Sequence, residues 1–284
     1  MIEALSSNRT AIILVTALLL TLVMTTFGCD STEEKGVEDI MDTMKKVPKD
    51  CGSFVYMDLD AMRTDADLED EYVRLKEGLT GWADFFGGFD EVDSFTIAGR
   101  DFGDFSVLFS GDFNLDESRE KLEEPGWDKG EYKGIEVWGE ESGAALVSNK
   151  LVIIGYVKVC IDAMMNSDTS LYGDKNFRDI VGRLPGGVYY NFQEDGLRIQ
   201  EFYSSYDGLL VSGYSMFKKD KKSMTITSVC KFEDVDFASK AIDSIKQDLE
   251  NYAYEEYRNI KVEQDSEFIK IITDIDIKGF LFGE

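Results

Sequence analysis

Oxygen-bearing side chains recur at Asp112, Asn114, Asp116, Ser118, Glu120 and Glu123, the spacing of positions 1, 3, 5, 7, 9 and 12 in a calcium-binding EF-hand loop. Glu117 stands where that loop needs a glycine for its sharp turn, and no long helix precedes Asp112. The pattern therefore reads first as a strand end at Asp112 followed by a helix that Asn114 or Asp116 caps, with acids in its first turn favoured by the helix dipole. A weak calcium site at Asp112, Asn114, Asp116, Ser118 and Glu123 is the second reading. Asp58, Asp60, Asp65, Asp67, Glu69, Asp70 and Glu71 form another acidic run. It suits a weakly held hard cation or, more simply, a strand end, a loop and the solvated first turn of a helix. Histidine is absent from the chain, which removes the commonest general base and metal ligand and with them Ser-His-Asp, Cys-His and zinc hydrolase chemistry. A pair of carboxylates suffices for glycoside hydrolysis, but no pair among these acids stands out. Cys51, Cys160 and Cys230 show neither CxxC nor metal spacing. One disulfide plus a free thiol, or three thiols, both fit; the apolar run beside each favours three isolated buried thiols.

Cys29 has a different setting. Ala11 to Phe27 is a run of 17 residues without charge, preceded by Arg9, and reads as an export signal whose length falls between a cleavable h-region and a spanning helix of ~20 residues. Thr26-Phe27-Gly28-Cys29 followed by Asp30-Ser31-Thr32-Glu33-Glu34 resembles a bacterial lipobox, with Thr26 and Phe27 where a branched aliphatic and a small residue are preferred. Lipidation of Cys29 after removal of residues 1–28 is the leading expectation, ahead of an uncleaved anchor helix and of ordinary secretion. All three place the body outside the cytoplasm, and acyl chains on Cys29 would hold it to the membrane.

The body is acidic, with 56 Asp and Glu against 30 Lys and Arg and a formal charge of −26. Such a surface repels phosphate backbones and anionic lipid headgroups, so nucleic acid is excluded as a partner. The basic cluster Lys218-Lys219-Asp220-Lys221-Lys222 lies between two strand-like runs and reads as a solvated hairpin turn. Gly99 to Gly103 and Gly186-Gly187 lack nucleotide-binding spacing and read as turns, so no cofactor is expected.

Residues 29–47 read as the modified cysteine, a polar tether over 30–36 and a short helix carrying Val37, Ile40, Met41 and Met44. Periodicity then predicts strands at Ser53–Leu59, Ser94–Gly99, Phe105–Ser110, Ile135–Trp138, Ala144–Val147 and Leu151–Tyr156, with helices near Leu68–Leu79, Asp116–Leu122 and Val159–Met165. A similar order follows: Val188–Tyr190, Leu209–Phe217 and Ser223–Phe232, a helix from Val235 to about Tyr254, then Ile260–Glu263, Phe268–Thr273 and Ile275–Leu281. Each series begins with a proline before its first strand, Pro48 and Pro185. The expected fold is α+β, two tandem repeats of antiparallel sheet over 48–166 and 167–284 with helices packed on one face.

Pro48-Lys49-Asp50 before a strand, Gly111-Asp112-Phe113-Asn114 before a helix, Tyr132-Lys133-Gly134-Ile135-Glu136-Val137 and Asn149-Lys150-Leu151-Val152-Ile153-Ile154-Gly155 together resemble bacterial envelope lipoproteins catalogued as a domain of unknown function with duplicated α+β halves. The resemblance implies the architecture over most of residues 47–284 and no known activity.

Aromatic residues crowd two connections, Trp82, Phe85, Phe86 and Phe89 in one and Trp127 and Trp138 in the other. They suit satellites of the core more than a ligand platform. Tyr189, Tyr190, Tyr203, Tyr206 and Tyr214 are candidates for a groove between the halves. The expected function is a membrane-anchored extracytoplasmic binding or interaction module for a protein or small ligand. The alternatives are a carboxylate-dependent envelope hydrolase acting on glycans or cell-wall polymers, and a calcium-stabilised structural module.

Overall fold

The computed structural model describes residues 30–83, 88–101, 104–123, 127–140, 142–199, 202–252 and 257–278. Cys29, the apolar run before it, Phe85 and Phe86 lie outside the described residues. The first half comprises α1 (Asp30–Met44), β1 (Ser53–Asp58), α2 (Leu59–Thr64), α3 (Glu69–Ala83), β2 (Val92–Asp101), β3 (Asp104–Gly111), α4 (Leu115–Glu123), β4 (Lys129–Tyr132), β5 (Ile135–Gly139), β6 (Gly143–Ser148), β7 (Leu151–Gly155) and α5 (Val157–Met165). The second comprises α6 (Lys175–Val181), β8 (Tyr189–Glu194), β9 (Leu197–Ile199), β10 (Phe202–Ser204), β11 (Leu209–Lys218), β12 (Ser223–Phe232), α7 (Val235–Tyr252), β13 (Arg258–Asp265) and β14 (Phe268–Asp276).

Twelve of these strands form one antiparallel sheet in the order β13-β14-β12-β11-β8-β1-β2-β3-β7-β6-β5-β4, and β9 with β10 makes a small separate ribbon. The two halves meet where β1 pairs with β8. Outward from that seam each half runs through a strand, the hairpin beside it, a helix, and strands that return to the hairpin's far side. Short β-branched and aromatic strands explain the pleated element choice, and tight turns close the hairpins. Lys133 and Gly134, at φ 52° and 81°, make the two-residue connection between β4 and β5, the left-handed backbone that matches strand twist.

The helices differ from the expected arrangement because they cover both faces of the sheet. On one face α2, α3, α4 and α7 contribute Leu59 and Met62, Leu75, Leu122, and Ala241 and Ile245 to the largest core cluster. On the other, α1 and α6 pack Ile40, Met44, Phe177 and Ile180 over the seam, while α5 packs Ile161 beside β7. Central strands require this: β7 is buried at every position, and so is β12, so neither face can be left to water. The run Leu151 to Gly155 carries that signal as unbroken apolarity. The tether also differs, since α1 begins at Asp30, and its second half is anchored by Ile40 and Met44.

At the seam Phe54 and Phe192 are register partners whose rings stack at 4.4 Å, and Phe177 lies 6.3 Å from the first and 6.4 Å from the second. Tyr56 and Tyr190 form the next pair, edge to face at 6.1 Å. Gly213 on β11 makes room for this stack: a Cβ there would fall 2.4 Å from the Phe192 ring and 2.9 Å from Ile180. Near the far edge, Asp274 is 6% exposed and accepts hydrogen bonds from Thr225 Oγ1 at 2.7 Å, Lys219 Nζ at 2.5 Å and Asn259 Nδ2 at 2.8 Å.

Phe192→Ala is expected to cost about 3–5 kcal/mol and Gly213→Ala about 1–3 kcal/mol by overpacking, both read as shifts in urea midpoint. Burial alone would raise the Asp274 carboxyl, but the hydrogen bonds from Lys219, Asn259 and Thr225 and the Lys219 charge hold it below its ordinary value. Its stabilisation is therefore present above the unfolded carboxylate pKa of about 4 and lost as pH falls through the lowered folded value. Asp274→Ala should cost about 1–3 kcal/mol at neutral pH and flatten the acid limb of a stability-against-pH curve; an unchanged acid limb would rule out this role.

Candidate functional site

A cleft of about 770 Å³ opens at the end of the sheet where β1 and β11 finish and β8 begins. Its walls come from both halves. Asp58, the last residue of β1, caps α2 by accepting the Ala61 N–H at 2.8 Å, which turns the chain sharply from strand to helix. Its own N–H donates to Val188 O across the seam at 2.9 Å. After α2 the chain returns to extended backbone at Asp65, whose Oδ1 accepts the Asp67 N–H at 2.9 Å.

Facing this wall, Gly186 and Gly187 lead into β8. The Gly187 N–H donates to Tyr190 Oη at 2.7 Å, and a Cβ on Gly187 would meet Met216 O at 2.4 Å, so only glycine fits between the two strand ends. From α1, Gly36 closes the cleft on a third side, where a Cβ would fall 2.9 Å from Tyr190 Oη. The floor is apolar, formed by Ala61, Ala66, Leu68, Val188 and Phe217.

The polar lining is uneven in charge: Asp58, Asp60 and Asp65 against Lys218. Asp60 pairs with Arg63 at 2.8 Å. Lys218 Nζ reaches Asp65 at 2.6 Å and Asp67 at 2.5 Å, so the lysine binds two carboxylates of the other half. The basic cluster is a hairpin turn, as expected, but Lys218 and Lys219 are both committed to carboxylates. Burial raises the Asp65 carboxyl, and the Lys218 hydrogen bond, the Asp67 N–H and the Lys218 charge outweigh it, leaving the group below its usual range. A general acid needs the opposite shift.

The other sequence candidates separate. Asn114 Oδ1 accepts the Asp116 N–H at 3.2 Å and the Glu117 N–H at 3.5 Å, so it caps α4. Ser118 is buried and donates to Asn114 O at 3.0 Å, Asp116 pairs with Arg119, and Asp112 accepts from Asn149 and Lys150. Glu123 lies at the end of α4. The oxygens of Asp112, Asn114, Asp116 and Ser118 are spent on a strand end and a helix start, and among the described residues no group of three or more Cys, Asp or Glu converges to hold a metal.

Cys51, Cys160 and Cys230 are free and buried. Burial pushes the Cys51 thiol up, Cys160 to about 11 against a hydrogen bond with Ser106, and Cys230 to about 12; none is a thiolate at neutral pH. Trp138 and Phe89 are core residues and Trp127 packs against the same cluster. Trp138 is buried because its Nε1–H finds Glu136 Oε1 at 3.0 Å. Tyr190 stands at the seam, Tyr189 stacks on Tyr214, Tyr206 donates to Asp248 at 2.9 Å, and Tyr203 is exposed; none of these tyrosines is among the residues that line the cleft. Asp58, Asp60 and Asp65 are legible as an acidic run. Lys218 is not, because its partner Asp65 lies 153 positions away.

No family model matches the sequence, and no curated protein matches it. Among solved structures the chain is similar to one titled "Structure of crystal form I of TP0453", with a TM-score of 0.45 at 10% identity over 83% of this chain and 93% of that one. Among the described residues no helix is long and apolar enough to cross a membrane.

Asn114→Ala is expected to lose about 1 kcal/mol through the missing cap, read by chemical denaturation. A calcium chelator should leave the melting temperature of the full chain unchanged. A fall on chelation would support the calcium reading.

Proposed function

We propose that this chain is an extracytoplasmic lipoprotein, lipid-anchored through Cys29, whose acidic body is a binding module for a small organic molecule carrying positive charge. The observation that carries the ligand-binding part is the cleft at the seam. Its volume of about 770 Å³ lies within the range of small-molecule sites, and an apolar floor with a few convergent polar groups is their usual construction. Asp58, Asp60 and Asp65 line it against Lys218, and with Asp67 and the Asp60 partner Arg63 included the carboxylates still outnumber the cations, which favours a cation over an anion. A depressed Asp65 carboxyl supports binding rather than the carboxylate hydrolase alternative. The two halves, each running strand, hairpin, helix and return strands, support a tandem repeat whose junction became the site. They also agree with the resemblance to envelope lipoproteins of unknown function.

Two experiments test this reading. In a thermal-shift series on the full chain, small organic amines should raise the melting temperature, by an amount equivalent to ~2.7 kcal/mol at a concentration 100 times Kd, while matched carboxylic acids should not. Ala66→Trp, which fills the cleft, and Asp65→Asn should remove the response. Amines that leave the wild type unmoved, or that act equally on Ala66→Trp, would overturn the cleft as the site. For the anchor, the intact mass of membrane-extracted protein should correspond to a chain starting at Cys29 plus acyl groups; an unmodified chain retaining Met1 to Gly28 would refute it.

A further inference from the structure

We propose that β13 is a self-pairing edge, through which two copies of this chain join across a two-fold axis in one defined antiparallel register. Among the described residues the twelve-stranded sheet is open, and β13 forms one of its ends. This strand spans Arg258–Asp265, and its residues from Lys261 to Asp265 alternate between exposed and half-buried, with Lys261, Glu263 and Asp265 exposed and Val262 and Gln264 half-buried. An edge of this kind presents unpaired backbone groups to another strand.

Strand phase identifies those groups. Asp265 and Phe268 are partners on either side of the two-residue turn Ser266-Glu267, and the pair that closes such a turn exchanges hydrogen bonds. In the alternating ladder Glu263 with Lys270 and Lys261 with Ile272 do the same, so the N–H and C=O of Val262 and Gln264 point away from β14. The irregularity between Arg258 and Lys261, with Asn259 at φ 57°, ends the regular edge on one side and the turn ends it on the other.

An antiparallel copy must set outward-facing residues opposite outward-facing residues, which leaves four registers, centred on Lys261, Val262, Glu263 and Gln264. Centring the axis on Lys261 puts two lysines face to face, centring it on Glu263 puts two glutamates face to face between two Lys261–Asp265 pairs, and centring it on Gln264 sets Glu263 against Asp265 twice. Centring it on Val262 pairs Lys261 of each copy with Glu263 of the other, and like charges directly opposite one another are what a sheet avoids. Lys270, the neighbour of Glu263 on β14, extends the alternation of sign across the axis. The exposed ion pairs select the register and the backbone ladder supplies the attraction. A two-fold axis through Val262 closes the assembly as a dimer, whereas pairing β13 with the opposite edge, β4, would propagate without end. The edge lies on the second half's outer strand, away from the seam, so the proposal stands whether or not the cleft binds a ligand.

Charge reversal with rescue tests it on the full chain in detergent solution. By sedimentation, K261E and E263K should each weaken the dimer roughly tenfold, and K261E/E263K together should restore it. Bulk charge cannot mimic this, because the first substitution makes the chain more acidic and the second less. In parallel, K261C mixed with E263C should form a disulfide dimer, since partners that do not exchange hydrogen bonds have Cα atoms about 4.5 Å apart, while each variant alone should not; Cys51, Cys160 and Cys230 are buried and do not compete. A chain that stays monomeric to millimolar concentration, single reversals that act in opposite directions, open-ended oligomers, or K261C that cross-links to itself as well as to E263C would each overturn the proposal.

Discussion

The pairing of β1 with β8 is the contact on which the remaining architecture rests. Each half builds outward from its first strand, so the seam is the one ladder that converts two half-sheets into a continuous twelve-stranded one. Stacked phenylalanines on one face of that ladder hold it in register, because a slip of one residue would put Phe54 and Phe192 on opposite faces of the sheet and break the cluster they form with Phe177. α1 and α6, which pack over this seam, complete the same cluster with Ile40, Met44 and Ile180. A bridge between Pro48 and Ser170 ties the segments that lead into the two halves.

The cleft follows from the same junction. Where β1 ends at Asp58, the helix cap turns the chain aside, and where β8 begins, Gly187 allows the backbone to pass within contact of Met216. Strand ends that diverge in this way leave a volume that neither half encloses alone. Lys218 spans it from β11 to Asp65 and Asp67, so the charge balance of the site depends on how the halves are set against each other.

Excess negative charge shapes the rest of the surface without destabilising the interior, because the buried ionic groups are neutralised locally. Asp274 is met by Lys219, and Lys231, 7% exposed, is met by Asp179 at 2.6 Å and Asn176 at 2.9 Å. Removing one member of such a set leaves its partner unsatisfied in a poorly solvated position, which is why these residues hold structure more than they advertise chemistry.

The alternation of Ser94–Gly99, Phe105–Ser110 and Phe268–Thr273, the prolines before each half and the helical stripe of Phe237, Ala241, Ile245 and Leu249 made the antiparallel α+β character and the order of elements legible from local pattern alone. Local pattern also pointed to Asn114 as a cap and to three buried thiols. The seven-residue helix α6 carried its signal, Asp174 before Phe177 and Ile180, in too short a stretch to stand out. Placement of helices on both faces, the joining of two half-sheets into one, and the meeting of Lys218 with Asp65 were decided only by the tertiary structure. Periodicity reports which side of an element is buried and is silent on what covers it, and a contact across 153 positions leaves no mark in the spacing of either partner.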